Sequence, residues 1–144
     1  MTPRSRAGRP PFDPCHGLAA GQIHRVEFPF TSSLGDDIVD GELCKVKFWK
    51  PGVRFEDVRG RGDPESFADG VGTMVIEIVS LHRPSSRHPM MVFYRRSWEY
   101  PDGTTAKTRG LKIKSASALR RIVSGYRYPF KVVEAEANES EVRS

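Results

Sequence analysis

The stretch YRRSWEYPDGTTAKTRGLKIK, Tyr94 to Lys114, mixes aromatic and cationic side chains in a pattern with a chemical use. Alternation along an extended strand puts Tyr94, Arg96, Trp98 and Tyr100 on one face and Phe93, Arg95 and Ser97 on the other. Aromatic rings offer π faces on which unpaired bases stack, at about 1–3 kcal/mol per base, while Arg and Lys neutralise the phosphates. From Lys107 to Lys131 there are eight basic residues (Lys107, Arg109, Lys112, Lys114, Arg120, Arg121, Arg127, Lys131) and no acid. Such a run suits a surface that receives a polyanion. Arg95, Arg96, Trp98, Tyr100, Lys107, Arg109, Lys112 and Lys114 are therefore the candidate nucleic-acid-binding residues. For Trp98 and Tyr100 a second reading stays open, because aromatics also dominate cores. Lys112 and Lys114 alternate with Leu111 and Ile113, which turn inward on this pattern, and they suit the solvated side of a strand equally well.

Catalytic patterns are missing from the rest of the chain. His16, His24, His82 and His88 are scattered, and no H-E-x-x-H, nucleophile elbow, phosphate loop or C-x-x-C motif occurs. The acid pairs Asp36–Asp37 and Glu56–Asp57 are adjacent, which on a strand turns their side chains to opposite faces. A non-enzymatic protein without metal or cofactor is expected. Cys15 and Cys44 stand far apart with no nearby His pair, so neither a disulfide scaffold nor a zinc site is expected, and a reducing compartment fits.

Size and charge agree with this. A chain of 144 residues suggests one domain, and 38% apolar against 28% charged residues permits a compact core. The formal charge of +5 favours anionic partners. No apolar run has the length of a membrane span, and the basic start MTPRSRAGRPPFDP lacks the apolar segment of a secretory signal. The expected location is the cytoplasm, nucleoid or nucleus, with an organellar address left open by the acid-poor start.

The elements that must position these residues follow from periodicity. Residues 1–21 are rich in Pro, Gly and Arg and are expected to be a disordered basic tail; Gly8-Arg9-Pro10 within it resembles the centre of an AT-hook, though an ordinary basic tail is the preferred reading. HRVEFPF and LCKVKFW alternate as strands with one buried face, and after Pro51-Gly52 the run VRFEDV is a possible hairpin partner. Residues 59–72 are predicted to be a loop. TMVIEIVSLH and PMMVFYRRSWEY form an antiparallel hairpin, Pro101-Asp102-Gly103 a turn, and RGLKIK a further strand. Leu119, Ile122, Val123 and Tyr126 then make one helical stripe, with Ser115 or Ser117 as cap and Gly125 as stop. YPFKVV suits a short last strand, and residues 134–144 a disordered acidic tail. The expected fold class is α+β: an antiparallel sheet followed by one C-terminal helix, with extra N-terminal strands, in a single nucleic-acid-binding domain over residues 22–133.

The segment YRRSWEYPDGTTAKTRGLKIKSASALRRI is similar to the signature of the positive cofactor four family of transcriptional coactivators. The matching features are Arg95, Trp98, the turn at 101–103, Lys107 and Arg109 before Gly110, the strand Leu111-Lys112-Ile113, and Leu119 and Ile122 in the helix. The resemblance covers roughly residues 73–126. It implies a curved four-stranded antiparallel sheet followed by a helix, and a homodimer joined through helix and sheet edge. It also implies single-stranded DNA on the sheet, bound by Arg95 or Arg96, Trp98, Lys107, Arg109 and Lys112. Residues 22–58 have no counterpart in that pattern. A binder of single-stranded or melted DNA in transcription, replication or repair is the resulting expectation. The alternatives are an RNA binder or a protein-interaction adaptor, such as a phage-type host modifier, that uses the same basic surface.

Overall fold

A computed structural model describes residues 13–57 and 62–133. The described residues are mostly antiparallel sheet, strongly curled into a half-barrel, with one short helix among them near the C-terminus. The strands are β1 (Ile23–Val39), β2 (Glu42–Pro51), β3 (Arg54–Asp57), β4 (Pro64–Ala68), β5 (Gly70–His82), β6 (Met91–Glu99), β7 (Thr105–Lys107) and β8 (Lys112–Ser115); helix α1 (Ala116–Val123) and β9 (Lys131–Val132) follow. The main sheet has the order β2-β1-β5-β6-β7, and β8 also pairs with β6. β7 lies beside Ser97–Glu99 and β8 beside Met91–Tyr94, so the two act as one interrupted edge strand. The sheet thus has six strands where the family resemblance implied four, because β1 and β2 extend it.

The alternating apolar residues predicted for β1 fall on one face, together with those of β5 and β6. Val26, Met74, Ile76, Ile78, Val92 and Tyr94 are buried there under Ala116 and Leu119 of α1. Ser115 caps the helix, its hydroxyl accepting from the Ala118 N–H at 3.2 Å, which satisfies one of the orphan donors of the first turn. The helix stops at Val123, so Tyr126 reaches the predicted apolar stripe from the segment beyond it and not from a further helical turn. The Pro101–Gly103 turn forms as expected: Gly103 N–H donates to the Tyr100 carbonyl at 2.9 Å, and Asp102 accepts from both Thr104 N–H and its hydroxyl.

β1 changes partner at Phe30. Ile23–Phe30 pair with β5, whereas Phe30–Val39 pair with β2 on the other edge. From Thr31 to Lys50 the chain is therefore a two-stranded ribbon, closed by Asp40-Gly41 with φ of 55° and 81°, the left-handed pair that a two-residue hairpin turn requires. At the switch point the Phe30 ring lies over Gly72. A Cβ at Gly72 would collide with the Glu99 carbonyl oxygen and with that ring, so this position needs glycine for close approach.

Five expectations are corrected. The face of β2 that carries Cys44, Val46 and Phe48 was expected to be buried, but none of the three is, because that part of the sheet has no second layer over it. Residues 13–21, expected within a disordered tail, are ordered: Asp13 accepts from the N–H groups of Cys15 and Gly17, and Leu18 joins the core. Composition did not advertise this, because the anchoring is long-range: besides Leu18, the His16 carbonyl accepts from Arg120 Nε and Gly21 N–H donates to the Ile78 carbonyl. The expected loop 59–72 contains β4 and the start of β5. β3 pairs with β4 instead of β2, since β2 is already committed to the ribbon. Leu111 and Ile113 are exposed, while Lys112 and Lys114 lie opposite Tyr94 and Val92 on the core side of the sheet. Register decides this: paired residues share a face, and at the sheet edge long Lys stems can cover apolar surface with the ammonium in water. The short final strand is present as β9, pairing in parallel with β4. The Gly8-Arg9-Pro10 motif and the expected acidic tail at 134–144 lie outside the described residues.

Asp69 ties the two sheets together. Its carboxylate accepts from Ser32 N–H at 2.8 Å and from Arg54 Nη1 at 2.9 and 3.0 Å. Burial pushes its pKa up, but the Ser32 N–H and the Arg54 guanidinium outweigh it, and the net direction is down. A lowered folded-state pKa means that the carboxylate stabilises the fold above the ordinary carboxyl range and that this contribution disappears as pH falls through it. Asp69→Asn should lower stability at neutral pH by about 2 kcal/mol and flatten the acid limb of a stability-against-pH curve below about pH 4. Parallel acid curves for the two proteins would count against this role.

Candidate nucleic-acid interface

The aromatic face of β6 is not a free platform along its length. Tyr94 is buried in the core, and burial raises the pKa of its phenol, with Arg96 opposing that shift. Trp98 packs against Phe28 and Phe30 with ring centroids 5.2 and 5.6 Å apart, and Tyr100 meets Phe30 at 5.4 Å. The core reading of Trp98 and Tyr100 therefore holds in large part, although both keep half-buried edges. The chain of edge-on rings continues from Phe28 to Tyr126 at 5.3 Å, and from there to Tyr128 and Phe130 at 6.2 and 5.5 Å. Edge-to-face contacts of this kind suit the ring quadrupoles and make a rigid apolar floor.

Above this floor the sheet and helix part. A cleft of about 460 Å³ opens between β1, β5 and β6 on one side and the end of α1 with residues 125–128 on the other. Arg96, Arg121 and Arg127 line it together with Phe28, Trp98, Tyr126 and Tyr128. The Arg96 guanidinium lies over the Trp98 ring at 5.1 Å, and Arg127 lies over Tyr128 at 6.0 Å. Among the described residues, none of these three arginines is in an ion pair. The Arg96 Nε–H is buried with no acceptor, so the cleft can be served only by the outer, Nη side of this guanidinium.

The chain is brought here by one glycine. Gly125, at φ 128°, lets the backbone reverse after the Ser124 cap, and residues 126–130 return over the sheet. Arg127, Tyr126 and Tyr128 thereby reach Arg96 on β6 and Arg121 on α1. Arg120, the helix neighbour, is turned away and donates through Nε to the His16 carbonyl at 3.0 Å.

The eight residues singled out from the sequence are divided by the fold. Arg96 and Trp98 line the cleft. Lys112 is half-buried opposite Tyr94 on the same side of the sheet as Arg96, with Lys114 further along the edge. Arg95 and Lys107 are exposed on the opposite face, where Glu77 pairs with Arg95, Ser97 pairs with Lys107, and Arg25 is ion-paired to Glu99. That face mixes both signs of charge. Arg109 sits exposed in the connection between β7 and β8, and Tyr100 belongs to the turn. Arg121, Arg127, Tyr126 and Tyr128 are the cleft residues that strand alternation missed. Their signal in the sequence was only the acid-free run, which counts cations without saying where they point.

Among the described residues there is no group of three His, Cys, Asp or Glu side chains able to hold a metal ion, and no helix is long and apolar enough to cross a membrane. No family model, curated protein or solved structure matches the chain. The likeness to the positive cofactor four family thus stands on its motif residues alone.

Proposed function

We propose that this protein is a non-enzymatic binder of single-stranded or melted nucleic acid, DNA before RNA, that seats the strand in the arginine-lined cleft between the sheet and the end of α1. The convergence of three arginines, unpaired among the described residues, on an aromatic floor carries this reading. Guanidinium groups bind phosphate oxygens in planar, two-pronged geometry, and Tyr128, an exposed ring at the mouth, gives a base something to stack on. Duplex readout in a major groove would need a projecting helix, whereas α1 has eight residues and packs its apolar face on the sheet.

The test is a set of anisotropy titrations at matched ionic strength with oligo-dT, oligo-rU, a duplex of the same length and polyglutamate. Oligo-dT should bind tightest, and ribo-oligomer competition reports any preference set by the 2′-hydroxyl. Tyr128→Ala should lose about 1–3 kcal/mol of that affinity with an unchanged Tm, because the ring is mostly outside the core. Absence of oligo-dT binding at low salt rejects the proposal, and polyglutamate binding as tightly as oligo-dT replaces it with the adaptor reading.

A further inference from the structure

The β1–β2 ribbon has no structural reason to be as long as it is. Beyond its base, where Ser32 is bonded to Asp69, the ribbon pairs with no other strand, and two-stranded ribbons standing alone are marginal in water. This one also shows apolar side chains on both faces. Leu34, Ile38 and Leu43 are 70%, 62% and 70% exposed on one face, and Val39 and Phe48 are 43% and 46% exposed on the other. Apolar surface gathered on a projecting element marks a contact surface. Its tip carries acids as well: Asp36, Asp37, Asp40 and Glu42. Asp36 is paired to Lys45 at 2.9 Å, which leaves Asp37, Asp40 and Glu42 without an ion pair among the described residues.

An acidic tip bearing Ile38, Val39 and Leu43 is poorly suited to a phosphate backbone or an anionic lipid surface. It matches, in charge and in apolar character, the cleft that Arg96, Arg121 and Arg127 line over Trp98 and Tyr126. The tip cannot reach its own cleft. Phe28 borders the cleft, and the ladder from Thr31 to Val39 carries the tip about 30 Å away at about 3.3 Å per residue. We infer that the occupant is a second copy of this chain: two molecules exchange ribbons, each seating its acidic tip in the partner's arginine cleft. One two-fold axis relates both contacts, so the assembly closes as a dimer. Carboxylates of the tip then take the places of phosphates, and the apolar tip side chains take the places of bases. Nucleic acid and ribbon compete for one site, so free protein is a self-blocked dimer that a single strand opens. The competition rests on the nucleic-acid reading of the cleft; the dimer itself does not.

Charge exchange tests this on the full chain. Light scattering across salt should give a dimer at low salt that dissociates as salt rises, since the contact is between charges near the surface. A ribbon variant, Asp37→Lys with Glu42→Lys, should be monomeric. A cleft variant, Arg121→Glu with Arg127→Glu, should be monomeric too. Mixing the two should restore a dimer, because the reversed ribbon meets the reversed cleft while the native ribbon meets the native cleft. Restoration also shows that both variants are folded. Wild-type monomer at low salt, a dimeric ribbon variant, or a mixture that stays monomeric each overturns the inference. Oligo-dT should convert the wild-type dimer to monomer, and it should bind the ribbon variant at least as tightly as wild type. A wild-type monomer that binds oligo-dT removes the exchange and keeps the cleft as a nucleic-acid site. A dimer obeying the charge exchange that ignores oligo-dT does the reverse.

Discussion

Replacing Arg96, Arg121 and Arg127 together by alanine should reduce affinity for oligo-dT by about a hundredfold or more at low salt. This takes about 1 kcal/mol for each charge-assisted contact to phosphate. The salt dependence is the sharper readout. A single strand releases about 0.7 counterion per neutralised phosphate, so losing three cations should flatten the slope of log K against log salt by about 2. Arg121 and Arg127 are exposed and can be removed without disturbing the core, whereas Arg96 is half-buried. The double variant Arg121→Ala with Arg127→Ala therefore isolates the electrostatic part, with a slope change of about 1.4 and an unchanged Tm. Arg95→Ala with Lys107→Ala is the matched comparison. These cations occupy the opposite face, where acids are interspersed with them, and their removal should leave the slope close to wild type. If the comparison pair carries the slope and the cleft arginines do not, the site lies on the open face and the cleft assignment is lost.

The second large effect is on the fold itself. Phe30→Ala should destabilise the protein by about 3–5 kcal/mol, a large part of the stability of an ordinary domain. Phe30 is fully buried, and its ring meets Phe28, Trp98 and Tyr100 edge-on while covering Gly72. Deleting it leaves a void, walled by the rings of Phe28, Trp98 and Tyr100, at the position where β1 leaves β5 for β2. Loss of the ring should also loosen Trp98, so near-ultraviolet circular dichroism should change together with the thermal midpoint. A variant within about 1 kcal/mol of wild type would show that the switch point can close over the void, contrary to its tight packing.

Much of the architecture was legible in local pattern. Val26-x-Phe28-x-Phe30 alternates with period two and falls on the buried face as expected, and Met74-x-Ile76-x-Ile78 shares that face. The β5–β6 hairpin, the Pro101–Gly103 turn and the Ser115 cap follow from turn and cap chemistry acting within a few residues. Asp40-Gly41 was equally legible as a two-residue hairpin turn, but alternation alone did not disclose it, and with it the ribbon's full length was missed. The partner of β3 was not legible, because VRFEDV has no preference of its own between β2 and β4 until β2 is placed.

The candidate site divides along the same line. The sequence by itself determined that cations and aromatics are concentrated after Tyr94 without acids among them from Lys107 to Lys131, and that Arg95 and Arg96 face opposite ways. It also carried the acids Asp36, Asp37, Asp40 and Glu42 beside Ile38 and Leu43. Only the tertiary structure decided which of these groups share a surface. Trp98 became mostly floor because Phe28 and Phe30 from β1 pack on it. Arg96 gained Arg121 as a neighbour because α1 packs on the sheet, and Arg127 because Gly125 turns the chain back over it. The ribbon became a projecting arm because β1 exchanges β5 for β2 at a single residue. Periodicity reports which way a side chain points relative to its own strand or helix; which elements meet is set by long-range pairing and packing, to which a local pattern is blind.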